Sequence, residues 1–254
     1  MWVIIILALI QAISEFLPIS SSGHLALFGS LLDKSNPYLD ASLHLGTALA
    51  LLVFLRREVM EALRDFRKLA SLVLATVPVL GIAYILRDQI EWLHQDQRVL
   101  WVVLTGLTFG TLLLWLADHR GAVRQIQLAW PTFWQACLIG LGQIASLWPG
   151  VSRSGSSTAT SVLAGLDLVS SAKFSFLTAI PITLIVGGYS LVDLGSSQNQ
   201  YSYPQLLLGV GITAVSGYFI LSFLVKYLAR HNLKVFIYYR LFLIFALSLI
   251  IVLG

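Results

Sequence analysis

Glu15 and Arg153 call for an account first, because each is a charged residue standing inside an otherwise apolar stretch. An ionisable group at the centre of a membrane span costs about 2.5–3.5 kcal/mol on an insertion scale, so it normally faces a cavity and has a partner. Gln11 lies four residues before Glu15, which puts amide and carboxylate on one face of a helix. Two oxygen ligands so spaced suit a hard divalent cation, Mg²⁺ or Ca²⁺, with water and substrate phosphate completing its shell. Gln11 and Glu15 also have a plainer reading, in which Gln11 satisfies a neighbouring helix and Glu15 salt-bridges Arg153.

Two short segments, Pro18-Ile19-Ser20-Ser21-Ser22-Gly23-His24 and Pro149-Gly150-Val151-Ser152-Arg153-Ser154-Gly155, each lead into an apolar helical stretch. Small residues let the backbone approach a ligand closely, and a following helix N-terminus aims N–H groups and positive dipole at it. Converging, the two loops would cradle an anion with Ser20, Ser22, Gly23, Gly150, Ser152, Ser154 and Gly155, while Arg153 offers a permanently charged fork of donors to phosphate oxygens. The same small residues also suit close helix crossings. His24, nine residues after Glu15, could donate a proton, attack phosphorus or orient a serine, and a histidine at a helix start can equally be a satisfied core residue. His44, beside Gly46, reads as packing or as support to the site.

These side chains need a membrane scaffold. The chain has 254 residues, 57% hydrophobic and 11% charged, against roughly 25% charged in a soluble domain. Six stretches are long and plain enough to cross a bilayer: 40–55, 69–86, 99–117, 174–193, 205–226 and 235–253. Regions 2–32 and 131–166 are instead interrupted by proline, glycine and serines, and backbone groups freed by such breaks must be covered inside a membrane. Each is therefore expected to form a re-entrant helical hairpin. The lone Cys137 excludes an intramolecular disulfide, and with no basic residue before Lys34 no cleaved leader is expected.

The net charge of +4 reads as topology, with no nucleic-acid partner expected. Ten basic residues (Arg56, Arg57, Arg64, Arg67, Lys68, Arg120, Arg124, Lys226, Arg230 and Lys234) fall in linkers on one side, and only Lys34, Arg87 and Arg98 on the other. The first side is then cytoplasmic, with both termini outside. One hairpin plus three spans makes each half, 1–117 and 125–254, and an odd number of spans inverts the second half. The expected fold is thus an all-α integral membrane protein of six transmembrane helices plus two re-entrant helical hairpins in an inverted-topology repeat, its hairpin tips meeting near mid-membrane. Proline recurs inside one span of each half, at Pro78 and Pro181. Gly106-Leu107-Thr108-Phe109-Gly110 offers a close helix contact suited to a homodimer.

At this point the motifs match a known family. Gln11 through Glu15, followed by the serines and His24, resembles the acidic motif and downstream histidine of the bacterial undecaprenyl-diphosphatases, also called bacitracin-resistance proteins. Trp148-Pro149-Gly150-Val151-Ser152-Arg153-Ser154-Gly155 is similar to their second signature. The likeness extends to Phe174-Ser175-Phe176-Leu177 and to Tyr239-Arg240. Ser157 stands where that signature closes with threonine, Thr158 following, and Ser22 stands where threonine is common; both keep a hydroxyl. The resemblance implies a multi-pass enzyme of the bacterial inner membrane that removes the terminal phosphate of undecaprenyl diphosphate. It implies a site open to the periplasmic side and dependence on a divalent cation. By position it puts Gln11 and Glu15 on the acidic motif, Ser21 and His24 on the nucleophile or proton-transfer positions, and Ser152 and Arg153 on the phosphate-binding signature. In this reading Mg²⁺ or Ca²⁺ sits on Gln11 and Glu15, the polyprenyl tail of the lipid lies against the spans, and Ser21, a water or His24 attacks.

Two other classes share parts of this pattern. An inverted-repeat transporter or flippase for an anionic lipid or phosphate-bearing solute would use the same topology without releasing phosphate. The phosphatidate-phosphatase-like enzymes share Ser-Gly-His but need a second histidine after a Ser-Arg pair, and none occurs between His119 and His231.

Overall fold

A computed structural model describes residues 1–21, 23–24, 37–93, 98–121, 129–192 and 201–253, and its architecture is all-helical. The helices are α1 (Trp2–Phe16), α2 (Pro37–Phe54), α3 (Arg56–Arg64), α4 (Phe66–Ile85), α5 (Arg87–Leu93), α6 (Arg98–Gly121), α7 (Phe133–Ile144), α8 (Arg153–Ala164), α9 (Leu168–Val192), α10 (Tyr203–Leu228) and α11 (Lys234–Leu253). α4, α6, α9, α10 and α11 contain apolar helices long enough to cross a membrane. A sixth candidate arises where α2 runs into the amphipathic, basic α3 through a 76° bend. The described residues thus hold five helices of spanning length, or six if the bent α2–α3 pair counts as one span, and residue 193 of the expected stretch 174–193 lies outside them. Residues 25–32 of the first expected hairpin, and Ser22 at its turn, lie outside the described residues.

Local chemistry accounts for the boundaries. α1 stops where Pro18 follows Leu17, since proline disfavours helix for the residue before it. Asp65 caps α4 by accepting from the N–H groups of Arg67 and Lys68, and Gln135 reaches back to the Thr132 N–H (2.7 Å) at the start of α7. α8 ends at Gly165, whose φ of 111° suits a residue without Cβ. Gln135 also uses its amide nitrogen to donate to the Ala164 carbonyl (2.8 Å), tying the start of α7 to the end of α8. Residues 133–164 thus fold back on themselves as a helical hairpin.

α9 lies deepest, with 56% of its apolar window buried against 22–33% for the other spanning helices, whose outer faces carry Phe109, Trp115, Val215, Phe219 and Phe245. α1, α2 and α10 pack together on one side of the molecule, and α4 with α7 on another. Where lipid is as apolar as leucine, close packing rather than water exclusion holds helices together, and small residues permit it. A Cβ on Gly46 would lie 2.7 Å from the Val210 carbonyl at the α2–α10 contact, and one on Gly140 2.8 Å from the Leu74 carbonyl at the α7–α4 contact.

Candidate active site

The two interrupted regions build the same turn. Ser20 and Ser152 adopt φ of 76° and 75°, the non-glycine residues with positive φ among those described. L-residues with a Cβ pay for that conformation, and such outliers cluster at functional sites. Each serine then caps the next turn of helix: Ser20 Oγ accepts from Gly23 N (3.2 Å) and Ser152 Oγ from Gly155 N (3.1 Å). The cap geometry makes Ser21 and Arg153 structural counterparts, each the residue immediately after the strained serine.

Both counterparts reach one carboxylate. Arg153 Nη2 donates to Glu15 Oε1 at 2.6 Å, and Ser21 Oγ donates to Glu15 Oε2 at 2.9 Å. Gln11 Nε2 donates to Glu15 Oε2 (3.3 Å) and to His44 Nδ1 (3.2 Å), bringing α2 to the cluster. Glu15 is 7% exposed and Arg153 13%, so the pair is shielded from both water and lipid. Arg153 Nη1 donates to the Ser175 carbonyl (3.2 Å), which fixes the guanidinium against α9 and leaves its other N–H donors for a ligand. The tips also touch directly, Ser154 Oγ donating to the Leu17 carbonyl at 3.1 Å. Gln11, Glu15, Ser21 and Arg153, expected to converge, do so.

The arrangement suits phosphoryl chemistry. A hydroxyl hydrogen-bonded to a carboxylate, with that carboxylate oriented by a third group, is the geometry of a nucleophile, its base and the base's positioner. For a divalent cation, the fit rests on Gln11 Oε1, which is buried and accepts no hydrogen bond among the described residues. Among the described residues no group of three or more His, Cys, Asp or Glu side chains forms a cage. The donor set therefore matches an ion such as Mg²⁺ that keeps waters and takes the rest of its shell from phosphate.

His24 sits to one side of this cluster. Its Nδ1–H donates to the Ser20 carbonyl (2.7 Å), which leaves Nε2 to accept from the Tyr239 hydroxyl (2.6 Å), and the two rings stack at 5.7 Å. The structure brings it to Tyr239 of α11, and not to Ser21. His44, read from the sequence as packing or as support to the site, takes the second of these roles, 3.9 Å from Glu15 Oε2. Its signal was available, an ionisable side chain inside an apolar span.

Arg240, which the sequence marks only as part of the family likeness, has a structural role that the motifs do not assign. Fully buried in α11, it donates through Nε to Thr111 Oγ1 (2.9 Å), through Nη1 to the carbonyls of Pro18 (3.3 Å) and Val151 (3.2 Å), and through Nη2 to those of Leu107 (3.1 Å) and Gly150 (3.0 Å). All five guanidinium donors are used, and both turns are held by the same side chain. The glycines Gly106 and Gly110 make room for this: a Cβ on the first would strike the Pro149 carbonyl, and one on the second would strike Arg240 and the Val151 carbonyl. This stretch, expected to suit a contact between two copies, is occupied within the chain. Gly150 itself takes φ of 97° against the backbone of α6, so its role here is to let the tip approach.

Fold and site together define a multi-pass helical membrane protein with a buried carboxylate–guanidinium–hydroxyl centre where two broken segments meet. The family described as "Bacitracin resistance protein BacA" matches residues 4–246, and the chain belongs to it. It is 37% identical to "Undecaprenyl-diphosphatase 1" of Pseudoalteromonas translucida, over 94% of each chain. It is 35% identical to the "Undecaprenyl-diphosphatase" of Alteromonas mediterranea over 94% of each, and 37% identical to that of Gemmatimonas aurantiaca over 95% of this chain and 94% of that one.

Proposed function

We propose that this protein is a membrane phosphatase that hydrolyses undecaprenyl diphosphate to undecaprenyl phosphate and inorganic phosphate, regenerating a lipid carrier for cell-wall synthesis and giving bacitracin resistance. The observation that carries the reading is the meeting of Ser21, Glu15 and Arg153, drawn from regions about 130 residues apart, at one buried point. The three relatives are all named as diphosphatases, and the transporter alternative finds no support among them.

Ser21 Oγ attacks the terminal phosphorus as its proton passes to Glu15 Oε2. The bond from that phosphorus to the bridging oxygen breaks, and the lipid monophosphate leaves. Water then cleaves the phosphoserine, releasing inorganic phosphate and restoring the hydroxyl. Arg153 keeps one N–H on Glu15 and turns others toward the equatorial oxygens, where charge spreads in the transition state. The residues of the two turns, Ser20, Gly23, Gly150, Ser152, Ser154 and Gly155, would line the approach of the anion. His24, polarised through Tyr239 and Ser20, serves proton transfer to or from the leaving group or the attacking water.

Glu15 and Gln11 Oε1 would hold Mg²⁺ or Ca²⁺, which when bound supplies positive charge against the phosphate oxygens. Chelation is expected to abolish phosphate release and added Mg²⁺ or Ca²⁺ to restore it; unchanged rates in chelator would take the metal out of the mechanism.

The same reading sets the two broken segments as re-entrant hairpins of an inverted repeat, 1–117 and 125–254, in six spans of the bacterial inner membrane. The basic linkers, including exposed Arg56, Arg57, Arg64 and Arg67, would face the cytoplasm, with the site open to the periplasmic side. The matching caps and φ values at Ser20 and Ser152 support the repeat. The deciding experiment is phosphate release by the purified protein from a polyprenyl diphosphate in detergent. Turnover is expected, and a protein that folds and binds the lipid without releasing phosphate would overturn the reading in favour of transport.

A further inference from the structure

The bend between α3 and α4 carries positive charge that neither the fold nor the reaction uses. Both acids of α3 are taken by lysines, Glu58 by Lys173 of α9 (2.7 Å) and Glu61 by Lys68 of α4 (3.0 Å), while Asp65 accepts from the Arg67 and Lys68 N–H groups. Arg56, Arg57, Arg64 and Arg67 are exposed and form no ion pair among the described residues. α3 is amphipathic, with Arg57, Glu61 and Arg64 recurring on one face and Val59, Ala62 and Leu63 on the other. Beneath the apolar face lies a cavity of about 310 Å³ between α3, α4 and α9. Ala62 and Leu63 close it at the basic end, its α4 side runs from Leu69 to Leu80, and Ile180 and Pro181 form the α9 wall. Thr76 is the one hydroxyl in an otherwise apolar lining. The stretch from Leu69 to Leu80 is about 16 Å of helix, close to one leaflet of a hydrocarbon core about 30 Å thick. Val73 and Val77, 48% and 57% exposed, mark the side open to lipid.

We propose that this groove binds one anionic phospholipid, with an acyl chain lying along α4 and α9 and the phosphate at Arg64 and Arg67. The occupant follows from the charge at one end and from the length of the groove. A basic amphipathic helix lies at the level of the headgroups, clustered arginines there attract anionic lipid, and a chain one leaflet long continues from that point. Phe66, 83% exposed between the two arginines, suits the boundary of headgroup and chain. A second copy of the protein does not fit, since a two-fold contact through this face would bring two sets of arginines together. The substrate lipid does not fit either, because no residue of the Glu15–Ser21–Arg153 centre lines the groove. The site is separate from the reaction, and this inference does not rest on the phosphatase reading.

The test counts lipid retained by the full chain in detergent, using native mass spectrometry across a titration with phosphatidylglycerol or with phosphatidylcholine of the same chains. The wild-type protein is expected to hold one phosphatidylglycerol about tenfold more tightly than phosphatidylcholine. Arg64→Gln combined with Arg67→Gln is expected to lower the affinity for phosphatidylglycerol about tenfold, to the level of phosphatidylcholine. Val73→Trp, which fills the groove from its half-exposed side, is expected to weaken both lipids alike, and Val77→Trp repeats that measurement should the first variant fail to fold. Glycerol 3-phosphate, which carries the phosphate without the chains, is expected not to displace the lipid. Equal affinity of the wild type for the two lipids, unchanged affinity in the arginine variant, or unchanged binding in the tryptophan variants would overturn the site. Displacement by glycerol 3-phosphate would do the same, by showing a phosphate site with no seat for a chain.

Discussion

Glu15→Gln and Arg153→Met are each expected to lower kcat for phosphate release by about 10²–10⁴-fold, and the double variant is expected to regain stability without regaining activity. The catalytic part follows from the roles proposed for each side chain: Glu15 as the base that takes a proton from Ser21, where a positioned base contributes about 10²–10⁴-fold. Arg153 faces charge on the transferred group, where losing one preorganised donor costs about 10²–10³-fold. The stability part follows from burial. Breaking a buried ion pair by removing one partner costs about 3–5 kcal/mol, because the other charge is left uncompensated, whereas removing both is often neutral. Thermal unfolding in detergent should therefore show two destabilised single variants and a double variant close to wild type, while the phosphate assay shows all three inactive. Turnover within tenfold of wild type in either single variant would remove that residue from the chemistry. A double variant as unstable as the singles would mean that the 2.6 Å contact is not the energetic unit the geometry indicates.

The contrast between Glu15 and His24 shows what kind of information a sequence holds about such a site. Glu15 and Arg153 were legible because an ionisable group in an apolar stretch carries a fixed cost, whatever surrounds it. Ser21 was legible by its place in a motif. That its proton points at Glu15 and not at His24 depends on Ser20 taking positive φ, a conformation that no residue type other than glycine announces. The interruptions at Pro18 and at Pro149-Gly150 announced two broken segments correctly, since proline and glycine act locally. The glycines of α6 did not announce their partner. Gly106 and Gly110 are spaced as they would be for a second copy, and only the fold reveals that the Pro149 carbonyl and Arg240 fill the space. Arg240 was open to the same cost argument as Arg153. Four of its five partners, however, are carbonyls at residues 18, 107, 150 and 151, and a carbonyl belongs to every residue and marks none.

Arg240→Met is expected to lose both stability and activity, through a different route from the first pair of variants. No carboxylate neutralises this guanidinium in its set of hydrogen bonds; one hydroxyl and four carbonyl dipoles stand in for water. Methionine fills much of the volume but leaves the Pro18, Gly150 and Val151 carbonyls without that donor. An unsatisfied buried acceptor costs about 1–3 kcal/mol, so the three together amount to about 3–9 kcal/mol. Relief from burying a charge offsets part of this, and the net loss falls near the lower end, enough to lower the thermal midpoint by roughly 10 °C. Activity suffers because the Pro18 carbonyl belongs to the turn that presents Ser21, and the Gly150 and Val151 carbonyls to the turn that presents Arg153. Freed from a common anchor, the turns lose register, and a misplacement of about 1 Å can cost 10²-fold in rate. Arg240→Lys separates the two effects, since an ammonium restores the charge but can serve at most three of the five acceptors and cannot span both turns as a planar fork. Its kcat should stay depressed while part of the stability returns. Full activity in the lysine variant would show that Arg240 acts by charge alone, and that the two turns hold their places without it.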